Sequence, residues 1–127
     1  MVSARIIIVL IGILLPYAAR LPRGIEWVNQ YTDAGIGGFL FMQAFNAIAW
    51  GAIVAISFVY RRPILLLIPC LLGFGALALV HNSLDLAADA QAAVALVFIP
   101  IYALAPIAMG GGIGYLIDKF LNKRSEI

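Results

Sequence analysis

Long apolar runs, broken by charge at only a few points, set the organisation of this chain. Ala34–Tyr60 carries no charge between Asp33 and Arg61, Pro63–Leu84 none between Arg62 and Asp85, and Ala90–Ile117 none between Asp89 and Asp118. The three runs hold 27, 22 and 28 residues. About 20 helical residues, rising ~1.5 Å each, cross the hydrocarbon of a bilayer, so each run predicts a transmembrane helix. The first and last exceed that length and must tilt, kink or protrude.

A fourth run is shorter. Ile6–Ala19 gives 14 uncharged residues between Arg5 and Arg20. Its length also fits a secretory signal, with Arg5 ahead of the apolar stretch Ile6–Leu15, but Tyr17 stands where a cleavage site wants a small residue. Arginines at both ends can snorkel outward and lengthen the span. A short first transmembrane helix is the expectation.

The expected fold is an all-α integral membrane protein, one membrane domain over residues 1–127. It is a compact bundle of four transmembrane helices near 4–21, 34–60, 63–84 and 89–118. Basic residues favour the cytoplasmic side of a membrane. With both termini cytoplasmic, that side holds Arg5, Arg61, Arg62, Lys119, Lys123 and Arg124, six against Arg20 and Arg23 outside. Arg61-Arg62-Pro63 makes a tight inner turn, with Pro63 suited to the first turn of the next helix. Asp89 is placed to cap the last helix. In the outer segment 22–33, Ile25, Val28 and Tyr31 recur at near-helical spacing beside Trp27. A short helix at headgroup level is expected there, with an ordered loop as the alternative.

Composition closes off other classes. Hydrophobic residues make up 65% and charged residues 11%, against about 45–50% and 25% in soluble domains, and the mean hydropathy is +1.08. A soluble chain this short buries only roughly 60–70% of its unfolded surface. Water-soluble, disordered and nucleic-acid-binding classes are excluded. The net charge of +2 is too small and scattered for a basic patch, and the single cysteine, Cys70, lies in an apolar run where packing is its expected role.

The candidate chemistry is sparse. Gln43, Asn46 and Trp50 share one face of the second span, and Asn46 lies about 16 Å along the helix from Gly35, near mid-membrane. An amide there needs a partner; the expectation is a helix–helix hydrogen bond, the alternative a polar path that also uses Tyr102. At the other candidate site, His81, Asn82, Asp85 and Asp89 cluster at the outer end of the third span, where a continued helix would stack His81 over Asp85. One histidine and two acids are too few for zinc or haem, so no metal and no cofactor is expected. A hydrated helix end with a His–Asp pair is the expectation. Gly73 and Gly75, together with Pro106, Gly110 and Gly114 at i, i+4 and i+8, form a small-residue packing seam.

No central ionisable residue is evident, and no catalytic constellation, so an enzyme is not expected. In size and four-span layout the chain resembles the small multidrug-resistance transporters, but Ile6–Ala19 lacks the acid those proteins use, and the likeness stops at hydropathy. The leading expectation is a small bacterial inner-membrane protein that works by helix–helix contact with other membrane components, as an accessory subunit or an immunity-type protein. Its partners are membrane lipid and other membrane subunits or further copies of itself. The alternative is a homo-oligomeric transporter or channel for a small solute or ion.

Overall fold

The computed structural model describes residues 1–86 and 92–125. The fold is 88% helix with no strand among the described residues. Helix α1 covers Val2–Ala18, α2 Ile25–Thr32, α3 Gly35–Ser57, α4 Leu67–Ser83 and α5 Ala92–Ser125. Short 3-10 turns at Leu21–Arg23 and Pro63–Leu66 lead into α2 and α4. Four helical stretches, Val2–Arg23, Gly35–Ser57, Pro63–Ser83 and Val94–Lys123, are long and apolar enough to cross a membrane.

The long helices occupy four corners. α1 and α5 each wedge against both α3 and α4, while α3 and α4 barely touch across the middle. Ala49 and Ile53 of α3, Leu77 of α4 and Ile107 of α5 fill the centre at 0–1% exposure. Apolar residues also cover the outside: Leu71, Leu79, Tyr102 and Ile36 are all more than two-thirds exposed. A helix that is apolar all round belongs in hydrocarbon or a large core, and the described residues form no further layer over it.

Segment 22–33 is partly helical. Gly24 and Gly35, at φ 105° and 70°, set the turns on either side of α2, in a backbone region where a Cβ is costly. Val28 and Tyr31 are buried against the bundle and Ile25 stays exposed, so only two of the three spaced apolar residues face inward.

Several boundaries differ from the expected helix limits, each for a local reason. α1 stops at Ala18 rather than 21, where Arg20 turns into the protein. α3 ends at Ser57 rather than 60 because Tyr60 folds back, its hydroxyl donating to the carbonyl of Gly111 at 2.6 Å. α4 stops at Ser83, one residue short of 84, and Leu84 is extended with ψ 120°. α5 runs seven residues past 118, because Asp118 faces the interior at 2% exposure instead of marking the helix end. The expected cap at Asp89 lies outside the described residues.

Candidate functional site

Mid-bundle, the amides of α3 meet α1 at a weak point of that helix. Pro16 has no N–H, so the carbonyl of Gly12, four residues earlier, loses its helical donor. Asn46, 2% exposed, donates through Nδ2 to that carbonyl at 2.6 Å, and Gln43 Nε2 donates to the carbonyl of Ile13 at 2.8 Å. Trp50 completes the face by packing on Gly12, where an added Cβ would lie 2.6 Å from the Trp50 side chain. The Asn46 Oδ1, Gln43 Oε1 and Trp50 Nε1 atoms are buried with no hydrogen-bond partner among the described residues. Tyr102 is not part of this face. It is 73% exposed on the outside of α5, whose inward face carries Ala103 and Ile107, four residues apart.

The strongest polar cluster forms where α1 ends and α4 ends. Arg20 is fully buried, at 0% exposure. Its Nη1 donates to the carbonyls of His81 and Leu84 at 2.8 and 2.6 Å, its Nε to the carbonyl of Trp27 at 2.7 Å, and its Nη2 to Gln30 Oε1 at 2.7 Å. The guanidinium also stacks over the rings of Tyr31 and Trp27, 4.0 and 4.6 Å from their centroids. Carbonyls at a helix C-terminus are unpaired and carry partial negative charge, so the end of α4 is a natural seat for a cation. Trp27 Nε1 and Arg23 Nη1 donate to the next carbonyl, that of Asn82, at 2.8 and 3.2 Å. Residues 20–27 thus cap α4 with side chains.

The expected outer-face residues split across this cluster. His81 is 1% exposed, not hydrated, and its Nδ1 lies 2.7 Å from the Tyr31 hydroxyl. Asp85 does not pair with it: the helix ends before Asp85, which accepts from Gln30 Nε2 at 2.9 Å. Asn82 donates to the carbonyl of Ala19 at 2.8 Å. Asp89 lies outside the described residues. Burial raises the Tyr31 hydroxyl from 10 to about 12, with the nearby Arg20 charge pulling the other way. Tyr31 therefore remains a neutral hydroxyl at physiological pH. Among the described residues no three potential ligands converge for a metal ion.

Arg20 is the residue that sequence reasoning misplaced. An arginine at the edge of an apolar run snorkels outward by default. Here the acceptors lie inward: Trp27 and Gln30 of α2 supply two, and the carbonyls of His81 and Leu84, at the end of α4 more than sixty residues away, supply the others. The nearest local signal was Trp27, Gln30 and Tyr31 on the following helix, too ordinary to weigh.

At the opposite end, Asp118 accepts from the backbone N–H groups of Arg61 and Arg62 at 2.9 and 3.0 Å. Burial raises the nearby Tyr60 hydroxyl, with Asp118 adding to the shift. Arg5 Nε donates to Ser57 Oγ at 2.7 Å and its guanidinium stacks 3.9 Å over the Phe58 ring.

The packing seam lies inside the chain. A Cβ on Gly110 would come within 2.7 Å of the Pro69 backbone, and one on Gly73 within 2.5 Å of Ile107. Gly114 lies against Tyr60, and Gly111, which the sequence spacing passed over, against Ile56. Pro106 is half-buried beside them. Gly75 differs: among the described residues nothing lies within 4 Å of where its Cβ would stand, so it packs against no other described helix.

Compared with protein-family models, curated proteins and solved structures, the chain shows no match.

Proposed function

We propose that this chain is an accessory subunit of a membrane complex, acting by helix–helix contact in a bacterial inner membrane, with both termini in the cytoplasm. The observation that carries this reading is the apolar centre, packed by Ala49, Ile53, Leu77 and Ile107 at 0–1% exposure. The polar groups support it too. Arg20, Asn46 and Asp118 each complete the backbone of a neighbouring segment of the same chain, which is the work of a scaffold. What the bundle offers its surroundings is helix surface. An open groove of about 720 Å³ runs along α4, with Leu71, Leu72, Ala78 and Leu79 around the uncovered Gly75. A stripe of small and branched apolar residues lets a second helix approach closely in lipid.

The test is extraction of the tagged chain from its native membrane in a mild detergent. A membrane protein in fixed stoichiometry, lost on Gly75→Leu while the variant accumulates normally, is the expected result. A homo-oligomer that conducts a solute when reconstituted in vesicles would replace this reading with the transporter one.

A further inference from the structure

The Asp118 end of the bundle carries a second kind of surface. A crevice of about 570 Å³ opens between the α3–α4 turn and the last turns of α5, lined by Val59, Arg61, Tyr115, Lys119, Asn122 and Lys123. Lys119 and Lys123 stand one helical turn apart, and Tyr115 one turn before them, so all three share a face of α5. Arg61 faces them from the turn. Among the described residues the only acid in the lining, Asp118, has both oxygens engaged by the N–H groups of Arg61 and Arg62. No hydrogen bond or ion pair ties the Arg61, Lys119 or Lys123 side chains to a described residue. Three cations therefore surround one concavity, and the carboxylate of Asp118 is turned away to backbone.

The crevice is also two-faced. Its lining also holds the apolar Val59, 59% exposed, and the chain neighbours of Val59 and Tyr115, Phe58 and Leu116, are exposed apolar side chains at 68% and 65%. Tyr115 sits at the boundary, 40% exposed, where a phenol prefers the headgroup level. A free anion would need only the cations. An occupant that carries a phosphate and an acyl chain uses both faces, and basic crevices at the ends of transmembrane helices suit such headgroups.

We propose that this crevice binds the phosphate of an anionic phospholipid, with Arg61, Lys119 and Lys123 around the headgroup and the acyl chains lying along Val59 and Leu116. The site is independent of the helix-contact role proposed above.

The test uses the full chain in detergent and native mass spectrometry with phosphatidylglycerol or phosphatidylcholine of identical acyl chains. The wild type should retain phosphatidylglycerol in preference. Each lysine near a lipid phosphate contributes about 1 kcal/mol, or about fivefold in affinity. Lys119→Gln/Lys123→Gln should therefore weaken retention on the order of 25-fold, and Lys119→Arg/Lys123→Arg should keep it. Both lysines are exposed, so unchanged thermal unfolding shows that these variants remain folded. Lys119→Gln/Phe120→Lys keeps the net charge but turns one cation about 100° around the helix; it should lose about fivefold. Wild-type retention in that variant, or no preference between the two lipids, would overturn the site in favour of diffuse surface charge. Displacement of phosphatidylglycerol by millimolar inorganic phosphate would overturn the lipid assignment and leave a free-phosphate site.

Discussion

Asn46 of α3 hydrogen-bonds the Gly12 carbonyl of α1, the one carbonyl that Pro16 deprives of its helical donor. The proline in one helix and the polar residue in another are thus one feature. Replacing Asn46 by Leu leaves that carbonyl buried without a partner, at a cost of about 1–2 kcal/mol. Restoring a backbone N–H with Pro16→Ala should recover part of this. In a double-mutant cycle followed by unfolding in detergent, Asn46→Leu should cost less in the Pro16→Ala background. Equal costs in both backgrounds would mean that the bond contributes nothing to Gly12. If the pair is structural, function should track abundance in these variants.

Arg20 is the costliest side chain to lose. Arg20→Leu removes the donors to the carbonyls of Trp27, His81 and Leu84 and one of the donors to Gln30 Oε1 at once, and should lower stability by about 3–5 kcal/mol. Arg20→Lys should rescue only partly, because an ammonium cannot present the planar fork that reaches α2 and α4 together. Melting temperatures of the purified variants in one detergent check the order: wild type, then Lys, then Leu.

The glycines separate into two groups by what faces them. Gly110→Leu must push Pro69 and its helix away and should cost about 2–4 kcal/mol in stability. Gly75→Leu meets open space in this chain and should leave the melting temperature within about a degree. A large loss for Gly75→Leu in the isolated protein would show that α4 is covered there by another segment.

Stability should depend on pH through Tyr31. Its hydroxyl is held protonated in the fold up to about 12, against 10 for the ordinary group. Between those values the folded state binds more protons than the unfolded one, so stability falls as pH rises. The contribution is fully present below pH 10 and lost by about pH 12. Tyr31→Phe should flatten that part of the curve, measured as the melting temperature against pH from 9 upward.

Reporter fusions check the orientation. Fusions at either terminus and at Arg61 should read as cytoplasmic, and a fusion at Asp85 as external. A cytoplasmic signal at Asp85 would invert the map and put the basic crevice on the far side.

The sequence by itself determined that the chain is a set of apolar helices. Uncharged runs of 22 residues or more admit few other structures, since only a helix satisfies its own backbone over such a length of apolar surface. It also placed Gln43 and Asn46 on one face, because helical spacing is local geometry. The tertiary structure decided what those residues meet, and it reversed the sense of several. Arg20 carries the same local signature as any interfacial arginine. Only the approach of α4 supplies the carbonyls that draw it inside. His81 and Asp85 share a helical spacing, but the helix ends between them once Arg20 takes the Leu84 carbonyl. Tyr60 and Asp118 sit at ends of charge-free runs, and each is turned inward by a partner more than fifty residues distant. Hydrophobicity adds up along the chain and can be read from it, whereas a hydrogen bond needs a second group at about 3 Å, and the identity of that group is a property of the packed bundle.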